Sequence, residues 1–111
     1  MDNKKANKLR DFRKGIDKID GKILKLLANR FFLVKNIMKY KKLNGIKLVD
    51  KERENQIIKN IKMKSRRYKT NEKYTENIFK SIIKSGKNCI NYLFYFFFWT
   101  FFLTIMRTLF L

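Results

Sequence analysis

Residues 9–43 read LRDFRKGIDKIDGKILKLLANRFFLVKNIMKYKKL, and the spacing of apolar side chains in this stretch decides the fold. Leu9, Phe12, Ile16, Ile19, Ile23, Leu26, Leu27, Leu33, Val34, Ile37 and Met38 recur at steps of mostly three and four. That period marks one amphipathic α-helix. Gly15 and Gly21 cost roughly 1 kcal/mol each against alanine in a helix, but neither breaks the period. Asn44-Gly45 supplies the stop. A helix over residues 7–43, about 36 residues, would be roughly 54 Å long, against a mean of about 11–12 residues in globular proteins. No other stretch of the chain is large enough to cover its apolar stripe, so a second copy is the expected cover, in an interlocked homodimer.

Downstream, residues 46–49 form a short loop, and Asp50 has the character of an N-cap with Arg53 and Glu54 in the first turn behind it. A second helix is expected through Ile57, Ile58 and Ile61 to about Lys64. A polar bend over residues 65–71 then leads to a third helix carrying Tyr74, Ile78, Phe79, Ile82 and Ile83. The expected body is therefore all-α, with long, short and medium helices over residues 1–91. Residues 92–111 differ in kind: Arg107 is their one charged residue, and half of them are aromatic. Their length meets the bound for a membrane span, and Lys84 and Lys87 would then keep the body in the cytoplasm. Seven phenylalanines are unusual for a span, however, and are what a shifted reading frame of T-rich DNA gives; an aberrant C-terminus is therefore favoured over a tail anchor, and a helix buried in an oligomer is the third reading.

Composition narrows the chemistry. The 28 Lys+Arg against 9 Asp+Glu give a net charge of +19, which points to nucleic acid, anionic lipid or an anionic small molecule. Twenty-one of those cations are lysines spread along the chain, and no recognition helix or base-stacking set accompanies them. Nucleic acid is therefore the weaker reading. Histidine is absent and Cys89 stands alone, so there is no metal-ligand spacing, no disulfide and no nucleophile–base pair. Polar residues 1–8 lack the apolar run of a secretory signal, and a cytoplasmic setting is expected.

What remains is a set of charges at helical spacings. Arg30 and Lys41 are 11 residues apart, within about 20° on one helix face. Arg13, 17 residues before Arg30, points about 100° away, so it would more easily serve the pocket of a partner subunit. Asp50, Arg53 and Glu54 share a face at the start of the second helix. Taken singly, each reads as a solvated charge, a cap or a helix-dipole partner.

Taken in order, they resemble the AroQ class of chorismate mutases, the all-helical type II enzymes. The likeness runs through Arg13-x2-Ile16-x2-Ile19-Asp20-x2-Ile23-Leu24-x-Leu26-Leu27-x2-Arg30, Leu33-Val34 and Lys41, then Gly45-x4-Asp50-x2-Arg53-Glu54-x2-Ile57-Ile58. Tyr74, Phe79 and Ile82-Ile83 carry it to about residue 83. The resemblance implies a three-helix fold with a very long first helix, an intertwined homodimer, and conversion of chorismate to prephenate in phenylalanine and tyrosine biosynthesis, without metal or cofactor. It also implies the roles. Arg30, with Arg13 of the other subunit, would pair with the two carboxylates of the substrate. Lys41 would donate to the ether oxygen, Asp50 and Glu54 would hold the ring hydroxyl, and Arg53 would support the carboxylate end.

Two positions depart from the family pattern. Gly86 stands where the family usually places a serine, and Ile90 where it places a glutamine that assists the lysine at the ether oxygen. Both fall just before the aromatic segment, which favours an aberrant C-terminus; an inactive or regulatory remnant of the mutase is an alternative reading. An isochorismate-pyruvate lyase on the same fold is the other enzymatic alternative, and Asp50 together with Glu54 leans towards the mutase.

Overall fold

The computed structural model describes residues 2–110, with the backbone alone for residues 89–97. Among the described residues there are three helices and no strand: α1 (Asn3–Leu43), α2 (Lys51–Arg67) and α3 (Glu72–Leu109). The contacts divide the chain into two units, residues 1–34 and 35–111.

The first unit is the amino-terminal part of α1. Asp2 opens it: its backbone carbonyl accepts from the Lys5 and Ala6 amides at 3.0 and 3.1 Å, so the helix begins four residues earlier than the apolar period suggests. The early start is a matter of capping, because the Lys4 amide, an orphan of the first turn, donates to Asp2 Oδ1 at 3.4 Å. Along this unit Phe12, Ile16, Ile19 and Leu26 are 57–66% exposed. The stripe read from the sequence is present, and it is bare.

The second unit begins with the end of α1, which closes in a Schellman turn. The Ile46 amide donates to the Lys41 carbonyl at 2.8 Å and the Gly45 amide to the Lys42 carbonyl at 3.5 Å. Gly45 takes φ +63°, the left-handed conformation that glycine adopts without penalty. The stop expected at Asn44-Gly45 is therefore where the helix ends. Asp50 caps α2 as expected, its Oδ1 accepting from the Arg53 amide at 2.9 Å. Asn71 caps α3 in the same way through the Tyr74 amide at 3.0 Å. Each such cap is worth about 1 kcal/mol.

α2 and α3 pack antiparallel, and their ion pairs record the register. Arg66 meets Glu72 at 3.0 Å and Lys62 meets Glu76 at 3.2 Å, while Lys87 meets Glu54 farther along. Ile57, Ile58 and Ile61 of α2 and Phe79, Ile82 and Ile83 of α3 are half-buried. Among the described residues no apolar side chain is fully buried. The bend expected from residue 65 starts later, at Tyr68. Ser65 stays helical and is 2% exposed, with its hydroxyl 2.8 Å from that of Thr70 and donating to that of Thr75 at 3.3 Å. A buried hydroxyl needs such partners, and they come from across the turn, out of reach of a local reading.

The hydrogen bond from Arg66 holds the Glu72 carboxyl below the usual carboxylate range, and Glu72 raises the guanidinium in return. Lys80 and then Lys62 lower Glu76 likewise. Because these carboxyls are depressed in the folded state, they stabilise it above their ordinary pKa, and the contribution is lost as pH falls through the lowered value.

α3 continues across residue 92 without a break in the helix. Of the aromatic segment, Phe98, Trp99, Phe101 and Phe102 are exposed, and the side chains of residues 92–97 lie outside those described. Among the described residues no helix is long and apolar enough to cross a membrane.

Candidate active site

Of the six charged residues singled out in the sequence, Arg13 and Arg30 belong to the first unit. Arg13 is exposed and Arg30 half-buried. The other four belong to the second. Lys41 occupies the last turn of α1, is half-buried, and donates from Nζ to the Leu48 carbonyl at 3.5 Å. That contact is at the outer limit of a hydrogen bond, so the ammonium can turn to another acceptor at little cost. The Schellman turn immediately after Lys41 is what brings the Leu48 carbonyl within its reach.

Asp50, Arg53 and Glu54 come together in the first turn of α2, as their spacing predicts. Asp50 serves as the cap, which leaves one carboxylate oxygen beyond the bond to the Arg53 amide. Glu54 is the least exposed of the three. Its side chain is 21% accessible, with Lys51 3.8 Å from Oε2 and Lys87 of α3 ion-paired to Oε1.

Glu54 also lines a groove of about 280 Å³ between α2 and α3, together with Asn55, Ile58, Lys80, Ile83, Lys84 and Lys87. Three lysines against one carboxylate make this wall cationic, and Ile58 and Ile83 give it an apolar floor. A volume of this size is at the small end of ligand sites. The groove offers charge and shape, with no histidine, cysteine or hydroxyl in its lining, and so suits binding and electrostatic stabilisation of an anion.

Sequence reasoning missed Lys87 as a site residue. Lys84 and Lys87 stood out only as flanking charges of the aromatic segment, because their partnership with α2 depends on the register of two helices. A signal was present in the helical spacing of Lys80, Ile83, Lys84 and Lys87, which puts them on one face of α3. Of the two departures, Gly86 is buried, while the side chain of Ile90 lies outside those described.

The family profile described as chorismate mutase type II matches residues 12–89. A chorismate mutase of Methanocaldococcus jannaschii is 39% identical over 80 residues, covering 72% of this chain and 81% of that protein. A bifunctional chorismate mutase/prephenate dehydratase of Buchnera aphidicola subsp. Baizongia pistaciae is 35% identical over 80 residues, which is 72% of this chain but 22% of that much longer protein. No solved structure gives a significant match. The matched span runs from the first turns of α1 to the part of α3 that carries Lys87, and so takes in all six charged residues and the groove. On that match and on the likeness to the Methanocaldococcus enzyme over most of both chains, the chain belongs to the type II chorismate mutases.

Proposed function

We propose that the chain rearranges chorismate to prephenate as a homodimer whose two sites are each built from both subunits. The observation that carries this reading is the capped first turn of α2, where Asp50, Arg53 and Glu54 stand together and Glu54 enters a lysine-lined groove, within a chain of this family.

The reaction is a pericyclic rearrangement: one C–O bond breaks as one C–C bond forms, and no proton changes hands. Catalysis then consists of holding the enolpyruvyl ether over the ring and placing positive charge where negative charge develops. Arg30, with Arg13 of the second copy, grips the two carboxylates, since the planar guanidinium binds a carboxylate at two points. Lys41 turns from Leu48 to the ether oxygen. Asp50 and Glu54 accept from the ring hydroxyl, and Arg53 supports the carboxylate end. Metal and cofactor have no part in this scheme.

Burial supports the dimer. Side chains such as Phe12, Ile16, Ile19 and Leu26 are more than half exposed in the single chain, and each apolar residue covered gains roughly 1.5–3 kcal/mol. A second copy, carrying the same stripe, is a cover of matching length and chemistry. In this reading residues 1–91 are the mutase domain in a cytoplasmic setting, and residues 92–111 are an aromatic appendage whose membrane contact is a separate matter. The excess lysines are spread over all three helices, which favours a small anion over nucleic acid as the partner.

The test is an assay of the purified chain with chorismate and, in parallel, with isochorismate. Prephenate from the first and no salicylate from the second is the expected outcome. Salicylate alone would assign the lyase reaction, and neither product would leave a remnant. Restoring a donor at position 90 adds a graded check. Ile90→Gln is expected to raise kcat about tenfold, the worth of one further hydrogen bond to a charged transition state. An unchanged kcat in the folded variant would show that Lys41 needs no second donor.

A further inference from the structure

Within the proposed site Glu54 faces an electrostatic conflict. Its role is to accept a hydrogen bond from a ring hydroxyl, yet it is an anion in a pocket that must admit a dianion. Like charges in a partly desolvated site repel strongly, so Glu54 needs a counter-charge that stays in place. Lys51 is a poor candidate, being 76% exposed and 3.8 Å away on the same helix. Lys80, in the wall of the same groove, is committed to Glu76 at 2.9 Å. Lys87 is different: it reaches across from α3 to Glu54 Oε1, and its side chain is only 37% exposed. It therefore holds one carboxylate oxygen, while Oε2 keeps the long 3.8 Å contact to the exposed Lys51.

We infer that Lys87 is a positioning residue for the mutase reaction, offsetting the charge of Glu54 and fixing its orientation towards the ring hydroxyl without itself touching the substrate. The inference rests on the proposed mutase reading. It accounts for a lysine at the groove end of α3, and for a usable carboxylate in so small a pocket. The effect belongs mainly to substrate binding, because the repulsion that Lys87 relieves is already present in the ground-state complex.

Four variants of the full chain test it: Lys87→Met, Lys87→Arg, Glu54→Gln and the double Glu54→Gln/Lys87→Met. Lys87→Met is expected to lower kcat/KM about tenfold, chiefly through KM, and Lys87→Arg to recover to within about threefold of the parent. In the Glu54→Gln background, Lys87→Met should add less than about twofold, because a residue acting through Glu54 has nothing left to act on. Lys73→Met, which removes one positive charge from an exposed position on α3, should stay within about twofold of the parent. The inference is overturned if Lys87→Met matches the parent, if arginine fails to rescue it, or if the two losses multiply. An unmutated chain that makes no prephenate would sink the mutase reading itself, a result distinct from an active enzyme indifferent to Lys87.

Discussion

Arg30→Ala is expected to lower kcat/KM about 10²–10³-fold while leaving the helix intact. The guanidinium is proposed to meet a substrate carboxylate at two points, and hydrogen bonds to charged groups contribute about 1.5–3 kcal/mol each. Losing both, at the lower end of that range, removes about 3–4 kcal/mol, or two to three decades at about 1.4 kcal/mol per decade. The fold should not suffer, because Arg30 is half-buried on a long helix and alanine is the better helix former. Arg30→Lys should recover only part of the loss, since an ammonium is a point charge and cannot reproduce the two-point grip. Steady-state kinetics, with circular dichroism on the same samples, checks both halves. A variant within threefold of the parent would remove Arg30 from the site.

Lys41→Met is expected to cost about as much, but in a different constant. Charge on the ether oxygen appears as the C–O bond breaks, so an ammonium there stabilises the transition state more than the ground state. Removing a donor of that kind typically costs about 2.7–4 kcal/mol. The loss should therefore fall on kcat, about 10²–10³-fold, with KM changed little. Methionine keeps much of the side-chain length, which makes this a test of charge, and Lys41→Gln should be intermediate. The long contact to Leu48 explains why the ammonium is available: a 3.5 Å bond holds it weakly in the free protein. A KM effect with unchanged kcat would move Lys41 from the breaking bond to the binding of a carboxylate.

The elements that local chemistry determines were legible in the sequence. The apolar period of α1, the Asn44-Gly45 stop and the Asp50 cap depend on residues within a turn of each other, and all three stand where expected. The grouping of Asp50, Arg53 and Glu54 is of the same kind, because three- and four-residue steps on a helix fix a shared face. The start of α1 lies ahead of its apolar period because the Asp2 side chain caps a polar turn through the Lys4 amide. The end of α2 was set early because the hydroxyl of Ser65 is satisfied by Thr70 and Thr75, five and ten residues on. Lys87 was hidden for a related reason. In a chain with 21 lysines no single one stands out until the register of α2 against α3 brings it to Glu54.

Charge alone said little about function. A net +19 suits nucleic acid as well as a small dianion, and the decision came from where a few cations sit. Along the sequence, Arg13, Arg30, Lys41 and the Asp50-x2-Arg53-Glu54 turn follow one another in an order that a uniformly basic composition does not supply.

The proposed shared site can be tested most directly by mixing two damaged chains. Arg13→Ala and Arg30→Ala should each be nearly inactive alone, because every site in either homodimer lacks one arginine. If the subunits exchange at random, half of the dimers are mixed, and each mixed dimer has one site with both arginines. Co-expression or joint refolding should then restore about a quarter of the parent activity. A mixture no more active than its two components, with both variants folded and dimeric, would contradict a site built from two copies of the chain.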